Sequence, residues 1–424
     1  MRWEESLIIA TSDGSGQRLV TTRRRPRYFS RQGLAWTPGG QPILCATGNS
    51  GFYDPTAFHL VEVRISDGTE KAIGTRTWGW ISSVLWTRNA KGLLIAAGEH
   101  SAEAFQIWFV SYPDGRVRRV TNDLSNYAKL SLTSDSKTLL ALRTEKIADL
   151  WTSPPGSRQA TMQVPSGNLH SLESVARMAD GSIVYTAIAG EYRNMWVVDA
   201  SGGNPRQLTS GPYAKSEVAV TRDGRYVLYQ SRGKIWRVNS DGSGNRQLTH
   251  GSLDVHPNAS PDGAWVIYAS FSQWSPGIGG KPTLWKVGID GGEPVQLTTF
   301  PSSLPEVSPD GKLIACAYYN NDDPQFSSPQ IAIIPFKGGQ PLKRFDRPPS
   351  NNNHAHWTAD GKALEYTKVV EGTGNIWQQP LKGGNPVKVT DFNGSELFVF
   401  DTSAQGRVMA RGKNASDVIL ITDF

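Results

Sequence analysis

The chain has 424 residues but only two cysteines and seven histidines, and only 19% of its residues are charged. Two cysteines cannot form a disulfide framework, nor a zinc site by themselves. Long apolar runs are also absent, and the apolar stretch at residues 7–10 is far shorter than the apolar core of a signal peptide. We therefore expect no membrane insertion by this chain, and the sequence alone leaves its localisation open.

Excess charge of one sign is likewise small. The 44 Lys and Arg residues stand against 38 Asp and Glu residues, which gives a net charge of +6. This charge requires no nucleic-acid partner. A single basic cluster stands out and is interpreted as a solvated loop, because a phosphate-binding patch would need interleaved aromatic residues or a nucleic-acid module. The cluster comprises Arg23, Arg24, Arg25 and Arg27, with Arg31 nearby.

Glycine, proline and aromatic residues are plentiful. The chain has 43 Gly, 26 Pro, 14 Trp, 13 Tyr and 14 Phe. Without a collagen-like period, this composition is typical of many short strands joined by turns. An all-β fold is the first prediction.

A first repeat consists of an apolar or small residue, a turn of the Ser-Pro-Asp-Gly-Lys type and an apolar run. Pro presets the first turn torsion, Asp bonds back to the turn backbone and Gly accepts a positive φ, so each copy predicts a tight hairpin. The clearest copies begin at Trp36 (WTPGGQPILC), Val220 (VTRDGRYVLY), Ala259 (ASPDGAWVIY), Val307 (VSPDGKLIAC) and Trp357 (WTADGKALEY), with weaker ones at Trp86, Leu132, Arg177 and Asp401.

A second repeat alternates with the first. It holds a strand that often contains Trp, a Gly-rich turn and a strand ending in Gln-Leu-Thr or a relative of it. Together the two hairpins make four antiparallel strands every 40 to 50 residues, the period of a propeller blade. Copies begin at Leu7 (LIIATSDGSGQRLVT), Met195 (MWVVDASGGNPRQLT), Ile235 (IWRVNSDGSGNRQLT), Leu284 (LWKVGIDGGEPVQLT) and Ile376 (IWQQPLKGGNPVKVT).

The repeats therefore predict an all-β fold, a β-propeller of four-stranded antiparallel blades. One blade has two apolar faces, and stacking blades around an axis covers both. Nine Trp residues at matching places are expected to pack between blades. Cys45 and Cys316 share one position of the repeat with Tyr229, Tyr268 and Tyr366, so we expect two free, buried thiols. The nine Trp residues are Trp36, Trp86, Trp108, Trp151, Trp196, Trp236, Trp285, Trp357 and Trp377.

The two ends of the chain do not add up to one blade. Residues 6–22 read as third and fourth strands, eight complete units follow, and the C-terminus supplies first, second and third strands, the last from Val418. Since propellers have four to eight blades, we predict a partial propeller over residues 1–163 and a six-bladed ring over residues 164–424. The front half-unit also predicts that a further strand pair precedes Met1 in the natural protein.

These residues resemble a known family. The Ser-Pro-Asp-Gly hairpins with Leu-Trp strands and Asp-Gly-Gly turns look like the Pro-Asp repeats of TolB-like proteins. The run from Leu284 and the ending SDVILITDF are similar to the C-terminal propeller region of bacterial transmembrane serine/threonine kinases. The resemblance implies a sensory or protein-binding propeller in the periplasm or outside the membrane. No kinase motif is present, so no kinase catalytic residue is carried over.

The candidate site lies in the connections that precede each first strand. In a propeller these connections reach the mouth of the central channel, where ligands dock. The alternative is that they are ordinary loop residues. A metal would need His256, His354 and a carboxylate to converge, and we expect none. The candidate ligand-binding residues are Trp78, Trp80, Tyr127, His170, Tyr213, Glu217, Asp254, His256, Glu306 and His354.

The sequence contains no Gly-x-Ser-x-Gly, His-Glu-x-x-His, paired-cysteine or Walker-type motif. We therefore predict a non-catalytic, monomeric propeller that binds a protein or peptide and needs no cofactor. The rival hypothesis is an enzyme: the propeller of a peptidase, or a lyase or hydrolase with its site in the channel. Convergence of His256, His354 and Glu306 around one cavity would favour that rival.

Overall fold

The computed structural model describes residues 4–24, 27–49, 58–99, 104–123, 125–159, 162–170, 172–189, 192–271, 281–320, 329–346, 354–422 and 424. These residues form antiparallel β-strands and no helix, so the predicted all-β class is confirmed. In this part of the chain no helix could cross a lipid bilayer. The chain divides into two compact units. The first holds the described residues up to Glu145 and those from Ala415, and the second holds Lys146–Ser275 and Gly279–Asn414.

The first unit contains two four-stranded sheets and two smaller groups of strands. A two-stranded sheet joins β1 (Glu4–Ile9) and β2 (Arg18–Arg24). The four-stranded sheets are β3 (Arg27–Trp36), β4 (Ile43–Asn49), β5 (Phe58–Val63) and β6 (Glu70–Ala72), then β7 (Trp80–Trp86), β8 (Gly92–Gly98), β9 (Gln106–Ser111) and β10 (Val117–Arg119). In addition, β11 (Asn126–Leu132) pairs with the first half of β12 (Thr138–Ser153).

The second unit contains five four-stranded sheets in chain order. The strand before them, β13 (Met162–His170), pairs with β12 and belongs to a further blade described below. The first sheet holds β14 (Val175–Arg177), β15 (Ile183–Ala189), β16 (Tyr192–Val198) and β17 (Arg206–Gln207). The next holds β18 (Ser216–Val220), β19 (Tyr226–Ser231), β20 (Lys234–Asn239) and β21 (Arg246–Gln247).

The remaining three sheets of this series follow the same antiparallel order. One holds β22 (Asp254–Ala259), β23 (Trp265–Ser270), β24 (Thr283–Gly288) and β25 (Val295–Gln296). Another holds β26 (Ser302–Val307), β27 (Leu313–Tyr318), β28 (Gln330–Pro335) and β29 (Lys343–Phe345). The last holds β30 (Ala355–Trp357), β31 (Ala363–Val370), β32 (Thr373–Pro380) and β33 (Val387–Lys388).

A sixth blade closes the second unit into a ring. Its first two strands are β34 (Glu396–Ser403) and the beginning of β35 (Gly406–Thr422), and its other two are the second half of β12 and β13. Within the described residues, the first strands contact one another in the cyclic order β14, β18, β22, β26, β30, β34 and back to β14. The second unit is therefore a six-bladed β-propeller whose first strands surround the central axis.

Two long strands replace turns that the repeat predicted. The sequence places Leu139 in a second strand and Trp151 in a third strand of one unit, but both lie in β12, where Leu139 pairs with β11 and Trp151 with β13. Likewise Val408 and Val418 lie in the single strand β35. The predicted boundary after residue 163 falls within β13, whereas the compact units divide after Glu145. The predicted domain limits stay a prediction.

The first repeat forms the hairpins that its residues predict. In the turn after β26, the Ser308 hydroxyl donates to Asp310 Oδ1 at 2.6 Å and the Lys312 N–H donates to the same oxygen at 3.1 Å. Gly311 follows with φ of 73°. The Thr221 and Thr358 hydroxyls bind the turn carboxylates two residues later in the same way.

Each residue of the Gln-Leu-Thr ending of the second repeat makes its own structural contact. The Leu297 side chain is buried, and Gln296 Nε2 donates to the Thr298 carbonyl at 2.8 Å. The Thr298 hydroxyl accepts the Leu284 N–H of the third strand at 2.8 Å. Equivalent hydroxyls at Thr209, Thr249 and Thr390 accept third-strand N–H groups at 2.9–3.1 Å.

The predicted packing of cysteine and tryptophan holds with one exception. Cys45 and Cys316 are free and buried, as predicted, and burial raises the pKa of each thiol to about 12. Trp86 and Trp357 are only 8% and 4% exposed. Trp36 is wrong as a core prediction, because 55% of it is exposed. Among the described residues, the sheet that precedes it along the chain has only the two strands β1 and β2.

Candidate functional site

Bulges in the first strands position the candidate side chains at the centre of the second unit. The pairing register shifts within β18, β22 and β26, next to Glu217, His256 and Leu304. These three residues have φ of 54°, 56° and 53°, which L-residues rarely adopt. A bulge adds one residue on one strand and redirects its side chain. Because the first strands surround the axis, the bulge residues lie at the inner edge of the ring.

Three histidines gather there, and we call His256, His354 and His356 the histidine cluster. The ring centroids of His256 and His354 are 5.7 Å apart at 79°, and those of His354 and His356 are 6.0 Å apart at 16°. The His356 ring also meets Phe400 edge-on at 4.7 Å. The structure thus brings together His256 and His354, which the sequence predicted, with His356.

A carboxylate from the neighbouring blade holds each outer histidine. Glu217 Oε1 lies 3.2 Å from His256 Nε2, and Glu306 Oε2 lies 2.8 Å from His356 Nδ1. The second oxygen of each carboxylate accepts a backbone N–H: Glu217 Oε2 from His256 at 2.6 Å, and Glu306 Oε1 from Trp357 at 3.0 Å. Glu217 and Glu306 therefore bridge successive blades as well as orienting a ring.

The electrostatic surroundings of His356 raise its pKa above the ordinary value for histidine. Burial lowers the pKa of His356, but the nearby carboxylates of Glu306, Asp401 and Glu365 together outweigh it and raise the pKa to about 9. His356 is therefore an imidazolium at neutral pH, with Nδ1–H donating to Glu306. Its buried Nε2 has no hydrogen-bond partner among the described residues, and neither has Nδ1 of His256.

Other candidate residues of the second unit have local structural contacts. Asp254 is buried, and its Oδ2 accepts the Gly251 N–H at 2.9 Å. The Tyr213 carbonyl accepts a hydrogen bond from Lys215 Nζ at 2.6 Å, and the Arg232 guanidinium lies 4.3 Å from the Tyr213 ring centroid. The side chain of His170 lies outside the described part of the structure.

The remaining candidates belong to the first unit and are core residues. Trp78 is buried and packs edge-on against Trp108 at 4.9 Å. Trp80 packs against Phe58 at 4.7 Å. The buried Tyr127 hydroxyl donates to Asp123 at 2.6 Å. Their aromatic faces are occupied by protein, which is the ordinary use of such residues in a blade.

Sequence reasoning missed several residues near the histidine cluster. His356 stands out in the sequence beside His354 but is not one of the ten candidate residues, although it occupies the same place in the repeat as Asn258 and Glu306, two residues before the turn Ser or Thr. Asp401 joins the β34 blade to the β14 blade, since its Oδ2 accepts the Arg177 N–H at 2.9 Å. A buried ion pair joins Arg407 Nε to Glu365 Oε2 at 2.9 Å. Aligning that repeat position would have found His356.

The arrangement suits hydrogen bonding and charge recognition. Among the described residues, no group of three or more His, Cys, Asp and Glu side chains is placed as metal ligands would be. The rings of His256 and His354 are partly exposed, while His356 is buried and the carboxylates are occupied by backbone and imidazole contacts. The site can bind a polar partner with the chemistry already on its surface.

No protein-family model matches the sequence, and no curated protein is similar to it in sequence. Solved structures that are similar to this chain include TolB from Acinetobacter baumannii, at 14% identity over 79% of this chain and 80% of TolB, with a TM-score of 0.46. A putative TolB from Agrobacterium tumefaciens covers 99% of both chains at 15% identity and a TM-score of 0.30.

An oligogalacturonate lyase solved in complex with manganese is also similar, at 13% identity over 89% of this chain and 96% of the lyase, with a TM-score of 0.33. TolB-like propeller proteins are thus among the structural neighbours, as the repeats led us to expect. The chain's own strand topology establishes the propeller.

Proposed function

We propose that this chain is a non-catalytic interaction module that binds a protein or peptide at the histidine cluster of its six-bladed ring. The observation that carries the proposal is the double use of Glu217 and Glu306. Each carboxylate binds both a histidine ring and a backbone N–H of the next blade, so neither is left as a solvated general base. The partly exposed rings of His256 and His354 remain as a recognition surface.

The repeat motifs support a finer version of this proposal. Their resemblance to TolB-like proteins and to the propeller region of bacterial serine/threonine kinases favours a sensory role. In that role the propeller works in the periplasm or outside the cell. Binding of a protein or peptide at the ring is the signal that the sensory system detects. The kinase connection rests on the motifs alone.

A selection experiment tests binding at the cluster. Peptides are selected from a random phage-displayed library on the full chain, and their affinities are measured for wild type and for the His256→Ala/His354→Ala double variant. We expect the double variant to bind at least about tenfold more weakly. Lys312→Ala, in an exposed outer turn, is the matched control and should bind like wild type. Thermal melts verify that all proteins are folded.

Two results would contradict this function. Selected peptides that keep full affinity for the double variant would place binding elsewhere. Turnover of model ester, peptide or glycoside substrates that disappears in His256→Ala would favour the channel enzyme, because the His256–Glu217 pair also has the composition of an acid–base dyad.

A further inference from the structure

Two arginines of the first unit lie at the same end of the β7–β10 sheet. Arg76 lies in the connection that precedes β7, and Arg119 is the last residue of β10. Antiparallel pairing places the start of the first strand and the ends of the second and fourth strands at one end of the sheet. Glu99, which follows β8, binds both arginines, one through each carboxylate oxygen. This shared carboxylate brings the two guanidinium groups together, and we call Arg76 and Arg119 the arginine pair.

Buried tryptophan rings hold the arginine pair in place. The guanidinium carbon of Arg119 lies 4.6 Å from the ring centroid of Trp108, and that of Arg76 lies 5.2 Å from the same centroid. Arg76 is also 5.1 Å from the ring centroid of Trp78. Both tryptophans are buried in the core of the first unit, so their rings are fixed by packing. Cation–π contacts position a guanidinium group without using its N–H donors.

Arg119 departs from the residue that the repeat has at this place. In the Gln-Leu-Thr segments a Gln pairs with the third-strand Trp, as Gln296 does with Trp285, and Arg119 pairs with Trp108 in the same register. Thr121, two residues later, accepts a third-strand N–H at 2.9 Å, as the other threonines do. Because glutamine completes the fourth strand in other blades, the fold of the blade does not require a charge at position 119. The blades with glutamine contain Gln207, Gln247 and Gln296.

Most hydrogen-bond donors of the arginine pair are unused within the described part of the chain. A guanidinium group has about five N–H donors. Arg76 donates to Glu99 through Nη2, whereas Arg119 donates to Glu99 through Nη2 and to Asn122 Oδ1 through Nη1, the latter at 2.6 Å. Among the described residues, Glu99 is the only carboxylate that forms an ion pair with either arginine. The two side chains are 42% and 37% exposed, so their free donors and excess positive charge can be reached from solvent.

Two neighbouring guanidinium groups with free donors match an oxyanion. Arginine binds carboxylates and phosphates through pairs of N–H groups, and these charge-assisted bonds are the strong ones. Glu99 already supplies a carboxylate to both arginines. A phosphate group has more acceptor oxygens than a carboxylate and, as an ester, carries a charge of about −1.5 to −2 at neutral pH. It therefore complements the excess positive charge better than a second carboxylate does.

We propose that the arginine pair binds a phosphate group, either free or as the ester of a small molecule. The phosphate oxygens accept those N–H groups of Arg76 and Arg119 that Glu99 and Asn122 do not occupy. Trp78 and Trp108 keep the guanidinium groups in place before the ligand arrives, so little ordering is needed on binding. The site lies in the first unit and does not depend on the function proposed for the histidine cluster.

Calorimetric titration of the full chain with inorganic phosphate and with glycerol 1-phosphate, at constant ionic strength, tests the proposal. We expect wild type to bind at least one of them and Arg119→Gln to bind it at least about tenfold more weakly. This variant carries the residue that other blades have at the same place, so the fold should be kept. Arg116→Gln removes the same charge from an exposed turn of the same sheet and should bind like wild type.

The two ligands distinguish the source of the phosphate. Binding of inorganic phosphate alone supports a site for the free ion, and tighter binding of glycerol 1-phosphate supports a site for a phosphate ester. Phosphate should also raise the melting temperature of wild type more than that of Arg119→Gln, since a ligand stabilises the state that binds it. No binding of either ligand, equal weakening in Arg119→Gln and Arg116→Gln, or equally tight binding of acetate would overturn the proposal. A less stable Arg119→Gln variant with unchanged phosphate affinity would also overturn it, because the arginine would then have a structural role alone.

Discussion

The threonine that ends each Gln-Leu-Thr segment shows how one side chain fixes a backbone position. The Thr298 hydroxyl accepts the Leu284 N–H at 2.8 Å and also contacts the Ser302 hydroxyl at 2.7 Å. The Leu284 N–H is buried with its strand and has no water to replace this acceptor. A buried donor that loses its acceptor costs more than the bond contributes, which explains the recurrence of threonine here.

Thr298→Val should therefore destabilise the protein although it keeps the side-chain shape. We expect the free energy of unfolding, measured by urea denaturation, to fall by about 1–2 kcal/mol. Thr299→Val alters the adjacent, exposed threonine and should have an effect near zero. Equal effects of the two substitutions would show that the hydroxyl of Thr298 has no structural role.

His356 makes stability depend on pH. Its pKa in the folded protein is about 9, above the ordinary value of 6.5, so protonation stabilises the fold below about pH 6.5 and this contribution is lost as the pH rises through 9. We expect wild type to exceed His356→Gln in stability at about pH 6 and the difference to shrink by about pH 9.5, at roughly 1.4 kcal/mol per unit of pKa shift. A difference that is constant over this range would contradict the pairing with Glu306.

Sequence reasoning found His256, His354, Glu217 and Glu306 but assigned them to a rim of ten residues. The repeat fixes which positions precede each first strand, so these four could be predicted. It does not show which carboxylate turns toward the next blade, because that depends on the bulge and on φ near +55° at Glu217 and His256. Side-chain direction at a bulge is a property of the folded ring.

The hairpin turn is the element that the sequence specifies most completely. In the turn after β26, Asp310 accepts the Ser308 hydroxyl and the Lys312 N–H, and these bonds hold the pKa of Asp310 below its ordinary value. Such a carboxylate contributes to stability above its unfolded pKa of about 4, and the contribution is lost as the pH falls through the lower folded value.

Asp310→Ala should weaken the hairpin at neutral pH. We expect the denaturation midpoint to fall by an amount equivalent to about 1 kcal/mol near pH 7, and by less in acid, once the wild-type carboxylate is protonated. Glu293→Ala removes an exposed carboxylate in another turn and is the control. A loss that does not change between these pH values would show that ionisation of Asp310 is irrelevant.

The long strands β12 and β35 are the elements that sequence reasoning did not foresee. The repeat predicts a break between Leu139 and Trp151 and another between Val408 and Val418, yet each pair lies on one strand. Neither segment contains the Asp-Gly-Gly type of turn that separates second and third strands elsewhere, so the local sequence does not mark where one strand would end and the next begin. Whether each segment forms one long strand or two short ones depends on its pairing partners, which lie far away in sequence.

At the scale of the whole molecule, the second unit is a ring in which side chains on first strands bind the backbone of the next blade. Asn258 Oδ1 accepts the Val307 N–H at 3.0 Å, Glu306 accepts that of Trp357, and Asp401 accepts that of Arg177. The last of these joins the β34 blade to the β14 blade. The chain also links these two blades, since β13 of the β34 blade is followed by β14, and the ring closes within the β34 blade, where β35 pairs with β12.

Asp401→Ala should weaken the contact between the β34 and β14 blades, whereas Asp401→Asn should largely preserve it. The amide oxygen of Asn can accept the Arg177 N–H, as the Asn258 amide oxygen accepts the Val307 N–H. We expect a loss of about 1–3 kcal/mol in unfolding free energy for the alanine variant and a clearly smaller loss for the asparagine variant. Hydrogen exchange of the Arg177 amide should rise in the alanine variant only, and equal exchange in both variants would contradict this role.

Hydrogen exchange with and without a selected peptide tests binding at the ring centre most directly. We predict that the bound peptide slows exchange in residues 213–218, 254–258 and 354–357, which contain Glu217 and the histidine cluster, and that the His256→Ala/His354→Ala variant shows no such protection. Protection confined to the outer strands β17, β21 and β25, or unchanged exchange at the histidine cluster when the peptide is fully bound, would contradict the proposed function.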